Sequence, residues 1–107
     1  MAIKNIVIDN KIFDISYEII NPSATKDIIF LHGWGSNKDI MKSAFSRYLK
    51  DFRHIYIDLP GFGKSPNEYV LTTNDYVNIT SEFLKLLHSS KEFIAGHSYG
   101  GKVATLL

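Results

Sequence analysis

The sequence predicts an α/β fold, with a mostly parallel sheet, helices on both of its faces and an antiparallel hairpin at the N-terminal edge. Two early runs of β-branched and aromatic residues, Ile3 to Ile8 and Ile12 to Ile20, are separated by the turn-prone Asp9-Asn10-Lys11. From Ile28 onward, short apolar runs alternate with amphipathic helical stretches. Glycine-bearing loops follow Leu31, Ile57 and Ala95, each directly after an apolar run. Strands that alternate with helices imply right-handed crossovers and a parallel sheet covered on two faces. In such sheets ligands bind beyond the carboxyl ends of the strands, where all three loops fall.

In the hairpin, Phe13, Ile15, Tyr17 and Ile19 recur at the period of a strand with one covered face. Asn21-Pro22-Ser23 ends it. Ile28-Ile29-Phe30-Leu31 is continuously apolar, as a strand buried on both faces requires. Ser36-Asn37-Lys38-Asp39 fits a capping box that opens a helix. Beyond it Ile40, Met41, Ala44, Phe45, Tyr48, Leu49 and Phe52 keep one face apolar for about three and a half turns, and this stripe is expected to pack in the core. His54 to Ile57 is the next strand, followed by the loop Asp58 to Ser65. Thr72-Thr73-Asn74-Asp75 caps a second helix with the apolar face Tyr76, Ile79, Phe83, Leu84 and Leu87, ending near Ser89-Ser90. Phe93-Ile94-Ala95 reads as a buried strand and Val103 to Leu107 as the start of an apolar helix. No repeat or linker divides the chain, so residues 1–107 are read as one domain.

Composition narrows the function. A 45% hydrophobic, 21% charged chain is that of an ordinary globular protein. The net charge of +1 and the lack of a basic run give no pull toward nucleic acid or an anionic membrane. Cysteine is absent, which excludes disulfides, thiolate nucleophiles and cysteine zinc sites. The histidines lack ligand spacing and the carboxylates are scattered, so no metal site is predicted. Met1 to Ile6 has no signal-peptide core and no stretch could span a bilayer, so the expected location is cytoplasmic.

The chemistry-bearing stretch is Gly96-His97-Ser98-Tyr99-Gly100, followed by Gly101. It matches G-x-S-x-G, a serine on a sharp strand-to-helix turn whose flanking glycines leave room where Cβ atoms cannot fit. A strand before it and a helix after it place Ser98 at such a corner. Serine attack on a carbonyl puts negative charge on the carbonyl oxygen, and fixed backbone N–H groups stabilise that charge. Two donors are needed. One candidate is the amide of Tyr99, in the first turn of the helix. The other is the amide of Trp34, between Gly33 and Gly35, whose missing side chains let the backbone come close to a substrate.

These segments resemble the α/β-hydrolase superfamily, specifically its H-G-x-G branch of small serine esterases, thioesterases and C–C bond hydrolases. The resemblance rests on His32-Gly33-Trp34-Gly35, then Asp58-Leu59-Pro60-Gly61-Phe62-Gly63-Lys64-Ser65, then Gly96-His97-Ser98-Tyr99-Gly100-Gly101, in the family's order. It implies the N-terminal half of that fold, with Ser98 as nucleophile and the Trp34 and Tyr99 amides as oxyanion hole. Supporting roles go to His32, Gly33, Gly35, Gly96, His97 and Gly100, with His97 flanking the nucleophile and not acting as base. The substrate would be a small molecule with an acyl or carbonyl group: an ester, a thioester, a lactone or a C–C bond next to a ketone. This chemistry calls for no cofactor.

The family's acid and histidine follow the serine in sequence. Here only Tyr99 to Leu107 follow it, with neither a carboxylate nor a histidine, and the chain stops inside an apolar helix without a cap. The expectation is the N-terminal portion of a longer hydrolase, inactive by itself and prone to self-association through an uncovered sheet edge. The alternative is a non-catalytic binding module or pseudoenzyme on the same half-fold. A nucleotide-binding reading of Gly61-Phe62-Gly63-Lys64-Ser65 is weak, because the Walker pattern needs glycine where Asp58 stands.

Overall fold

The computed structural model describes residues 2–107; Met1, the first residue of the N-terminal stretch read above, lies outside them. Five strands form one mixed sheet in the order β1-β2-β4-β3-β5. The strands are β1 (Ala2–Ile8), β2 (Lys11–Ile20), β3 (Asp27–Leu31), β4 (Arg53–Ile57) and β5 (Phe93–Gly96). The helices are α1 (Lys38–Phe45), α2 (Thr73–Leu86) and α3 (Tyr99–Leu106). Strands β4, β3 and β5 run parallel, and β2 pairs antiparallel with both β1 and β4. No helix among the described residues is long and apolar enough to cross a membrane.

The hairpin closes through Asp9 and Asn10 alone, both with positive φ (50° and 62°), and Lys11 already pairs with Ile8. Positive φ at both central residues is the signature of the two-residue turn whose twist matches that of paired strands.

The pleat of β3 and β4 sorts the core onto two faces. Ile29, Leu31, Ile55 and Ile57 join Tyr76, Ile79, Phe83 and Leu84 of α2 and Val103 of α3. Ile28, Phe30 and Tyr56 face the other way, with Met41 of α1. The expected helices on both faces are therefore present, and all five residues of β3 are buried. The α2 capping box forms as read, Thr72 and Asp75 each bonding the other's amide. The helix ends with His88 in the left-handed region (φ 52°), where the Ser89 amide reaches Leu84 and the His88 amide reaches Lys85.

Three readings need correction. The cap of α1 is Asn37, one residue later than the Ser36 box, and its side chain accepts from the Asp39 and Ile40 amides. The Ser36 amide is instead used by the preceding turn, donating to the Gly33 carbonyl. The apolar stripe does not run as one helix to Phe52. α1 stops at Phe45, Leu49 takes a positive φ (54°), and only Met41 of the stripe is fully buried, whereas Ile40 is 61% exposed. Lastly, β5 is not a buried strand. Among the described residues it pairs only with β3, and Phe93 is 56% exposed.

The amino ends of the parallel strands are pinned by a buried carboxylate. Asp27 accepts two hydrogen bonds from Arg53 (2.7 and 2.8 Å) and one from the Ser90 amide (3.0 Å). Burial alone would raise its pKa, but the Arg53 guanidinium and the serine donors outweigh it and hold the carboxyl below the usual range.

Candidate active site

The three glycine-bearing loops meet at the carboxyl end of the sheet. Leu31 leads into His32-Gly33-Trp34-Gly35, Ile57 into Asp58 and Leu59, and Gly96 into His97 and Ser98.

Ser98 occupies the corner between β5 and α3 with φ 56° and ψ −117°. A non-glycine residue pays roughly 1–3 kcal/mol to sit in so sparsely populated a region, and it persists only where the surroundings impose it. They do so here. The His97 amide donates to the Leu31 carbonyl (3.0 Å), carrying the β3·β5 ladder one residue beyond Gly96. The Gly100 amide returns to His97, and the Gly101 and Lys102 amides to Ser98. Although Ser98 stands at the cap position of α3, its hydroxyl makes no cap hydrogen bond, and the residue is exposed.

The glycines fit this corner tightly. A Cβ on Gly96 would lie 2.5 Å from the Gly100 carbonyl group, and one on Gly100 would overlap the Leu31 carbonyl oxygen. A Cβ on Gly33 would stand 3.2 Å from His97 Nδ1 and 3.3 Å from Ser98 Cβ, so the first loop runs directly beside the serine. Gly35 has φ 77° at the third position of a turn closed by the Ser36 to Gly33 bond (3.0 Å), a position that calls for glycine.

His32 is fully buried and its tautomer follows from its partners. The Leu59 amide can only donate, so Nε2 (3.0 Å) is the bare acceptor. Nδ1 therefore carries the proton and donates to the Gly33 carbonyl at 2.7 Å. Burial lowers the pKa of the ring, against the pull of the Gly33 carbonyl and the Asp58 charge. Because the Gly33 carbonyl is drawn toward His32 and Ser36, and the peptide is trans, the Trp34 N–H points to the opposite side. Neither it nor the Tyr99 N–H donates to an acceptor among the described residues.

Sequence reasoning missed two features of the site. One is the pairing of Lys38 with Asp58, both buried, with Lys38 Nζ 3.0 Å and the Lys38 amide 2.7 Å from the carboxylate. The residues lie twenty positions apart and each reads locally as a surface charge, so no periodicity could have revealed the pair. The other is Tyr76: Trp34, Tyr99 and Phe62 are expected from the sequence as an apolar wall, and Trp34, 63% exposed, packs edge-on against Phe62 and Tyr99 but also against Tyr76, with centroids 4.8, 5.2 and 6.1 Å away. The Tyr99 hydroxyl lies 3.0 Å from Thr73 Oγ1, tying the first turn of α3 to that of α2. On the other side of Ser98 a groove of about 520 Å³ is lined by Trp34, Ile40, Met41, Phe45 and His97, so the part of the α1 stripe read as core faces this groove.

The remaining histidines lie elsewhere in the fold. His54 is buried, with Nε2 2.9 Å from the Leu49 carbonyl and Nδ1 2.7 Å from the Tyr56 hydroxyl. His88 follows the last turn of α2, close in sequence to Ser90, which binds Asp27 at the amino end of β3. The Gly61 to Ser65 loop turns its amides inward. Gly61, Phe62 and Ser65 donate to carbonyls and Lys64 to Asp58, which leaves no phosphate cradle.

Residues 28–107 match the model of the alpha/beta hydrolase family. Pimeloyl-acyl-carrier protein methyl ester esterase of Pectobacterium carotovorum is 35% identical over 80 residues, covering 74% of this chain and 29% of that protein. The sn-1-specific diacylglycerol lipase ABHD11 of Danio rerio is 33% identical over 94 residues, covering 85% and 30% respectively. Among solved structures, an alpha/beta superfamily hydrolase from Oenococcus oeni superposes with a TM-score of 0.77 at 29% identity, over 96% of this chain and 38% of that one. A thermophilic esterase from Thermogutta terrifontis shares the fold at a TM-score of 0.84 and 21% identity, over 97% and 39%. The chain thus spans about three tenths of the length of the curated relatives it matches.

Proposed function

The chain belongs to the alpha/beta hydrolase family, and from that premise we propose that Ser98 is the nucleophile of a carboxylic-ester hydrolase. The Trp34 and Tyr99 amides then form its oxyanion hole. The observation that carries this is the Ser98 backbone, held at φ 56° and ψ −117° with its hydroxyl uncapped. Two unpaired amides at the same sheet end support it. The esterase and lipase relatives favour a carboxylic ester over the thioester, lactone and C–C alternatives.

In this mechanism Ser98 Oγ bonds to the ester carbonyl carbon while its proton passes to a base. The carbonyl oxygen takes the negative charge and receives the two N–H groups, which act without reorganising. Collapse of that intermediate breaks the bond to the alcohol oxygen and leaves an acyl-serine that water then cleaves. On this reading the base is none of this chain's histidines: His32 and His54 have both nitrogens engaged, His88 follows α2 at the other end of the sheet, and His97, beside Ser98, flanks the nucleophile without acting as its base. On this reading residues 1–107 are the N-terminal part of one hydrolase domain, supply the nucleophile and the amides, and do not turn over an ester by themselves.

The test is reaction of the native gene product with a fluorophosphonate, followed by peptide mapping. The expected result is a single adduct on Ser98 that disappears in Ser98→Ala. An adduct on another residue overturns the assignment, and an unreactive protein favours the binding-module alternative.

A further inference from the structure

We propose that Asp58, acting through Lys38 and with Leu59 beside it, is the positioning residue for the loop that presents the Trp34 amide; this rests on the reading of Ser98 and the two amides given above. Among the described residues the loop from Gly33 to Asn37 has no strand partner, and its internal backbone support is the Ser36 to Gly33 turn bond. Both its ends are instead fixed by two consecutive residues at the end of β4. At the start, the Leu59 amide holds His32 Nε2, and His32 Nδ1 holds the Gly33 carbonyl. At the finish, Asp58 Oδ1 accepts the Lys38 amide (2.7 Å), and Oδ2 accepts Lys38 Nζ and the Lys64 amide (3.0 Å each). Between these two anchors stands the unpaired Trp34 N–H.

A buried ion pair is weak evidence for stability, because an apolar pair of similar volume often serves as well. What Lys38 and Asp58 supply is direction. With Asp58 0% and Lys38 2% exposed, the carboxylate is gripped by donors from α1 and from its own loop. It cannot rotate without orphaning one of them. Gly63 completes the seat, since a Cβ there would overlap the Asp58 carboxyl group. An oxyanion donor acts only if it meets the position the oxygen will occupy, and a misplacement of about 1 Å can cost about 100-fold in rate.

The experiment is single-turnover phosphonylation of the native gene product by a p-nitrophenyl alkylphosphonate, whose P=O oxygen stands in for the developing oxyanion. The rate of p-nitrophenolate release reports the geometry around Ser98, and its amplitude reports the fraction of folded protein. In Lys38→Met the carboxylate keeps its two amide donors but loses its counter-charge, so the expected result is a loss of thermal stability together with a rate for the folded fraction about 10-fold lower than wild type. Asp58→Ala, which removes the anchor itself, should fall by about 100-fold in rate. The control is Arg53→Met, which strips the partner from buried Asp27 at the other end of the same strands. It should lose thermal stability or amplitude while its rate stays within about 2-fold of wild type, because a misfolded fraction changes amplitude and not the rate of the remainder. Lys38→Met reacting at the wild-type rate, or Arg53→Met slowing as much as Lys38→Met, overturns the positioning role alone. A wild-type protein that takes no label on Ser98 overturns the Ser98 reading and this inference with it.

Discussion

Gly100 and Gly101 are adjacent and look interchangeable in sequence, yet alanine at the two positions should change stability in opposite directions. At Gly100 the new methyl would overlap the Leu31 carbonyl oxygen and stand 2.5 Å from the His32 carbonyl oxygen. Ordinary contact begins near 3.4 Å, so clearing the His32 oxygen alone would need a retreat of about 0.9 Å, and the nearer Leu31 oxygen demands more. It cannot retreat freely, because Gly96 lies on its other side so closely that a Cβ there would itself be 2.5 Å from the Gly100 carbonyl group. Nor can β3 yield, being hydrogen-bonded between β4 and β5 and buried along its whole length. Overpacking against backbone on both sides belongs at the upper end of the usual range, about 3 kcal/mol. At Gly101 the nearest atom to an added Cβ is the Gly96 carbonyl oxygen at 3.4 Å, an ordinary contact, and the residue is helical. There alanine should gain roughly 0.5–1 kcal/mol by removing unfolded-state freedom. The assay is urea unfolding of the two single variants with the m-value checked for constancy. A loss at Gly101→Ala as large as at Gly100→Ala, or a neutral Gly100→Ala, would mean that the corner is not packed against Gly100 in this way.

Two further outcomes follow from the same site. Burial holds the His32 pKa below its ordinary value, so above about pH 6.5 the ring is neutral in both states and contributes no pH dependence. As pH falls below that value the unfolded chain takes up a proton that the folded chain refuses. Stability then drops by up to about 1.4 kcal/mol per pH unit until the folded pKa is reached. In urea titrations between pH 7 and pH 5, about the range where an ordinary histidine takes up its proton, His32→Gln should have the shallower pH dependence; equal slopes in variant and wild type contradict a neutral, buried His32. Replacing Ser98 separates strain from chemistry, since glycine tolerates φ 56° and alanine does not. Both variants should lose phosphonate labelling, but Ser98→Gly should melt above Ser98→Ala by roughly 1 kcal/mol equivalent, the relief of strain less the entropy cost of glycine. Coincident melting curves would mean that the corner stores no strain.

What could be read from the sequence was local in origin. The Thr72 box, the unbroken apolar run of β3 and the elbow glycines each declare themselves within five residues, because capping, two-sided burial and tight turns are set by neighbours along the chain. Features set across the sheet were not legible. Phe93-Ile94-Ala95 has the apolar character of an inner strand, but exposure depends on which strands flank it, and β5 pairs only with β3 among the described residues. The periodicity of Ile40 to Phe52 identifies an apolar side without saying what covers it. The stripe breaks at Leu49, where the buried imidazole of His54, from the next strand, meets the Leu49 carbonyl at 2.9 Å. The cap at Asn37 displaced the one expected at Ser36 because the Gly33 to Ser36 turn already uses the Ser36 amide.

The end of β3 explains how the two halves of the site keep their spacing. The Leu31 carbonyl accepts the His97 amide, which sets the chain one residue before Ser98. It also marks the surface against which Gly100 fits and so limits how far α3 can approach. The chain then continues through His32 and Gly33 into the Trp34 amide, whose direction the His32 ring and the Ser36 amide impose. The proposed nucleophile and first oxyanion donor are therefore measured from one strand end, on the strand with the least freedom to move. The Tyr99 amide adds no independent variable, since it is the residue after Ser98 and its ring is fixed against Trp34 and Thr73. The strain at Ser98 is sustained by the same bonds, so a substitution that relaxes the corner also moves the serine away from the amides. Stability and reactivity are coupled at Gly96 and Gly100 for that reason, whereas Lys38 acts on the far end of the loop, away from the corner itself.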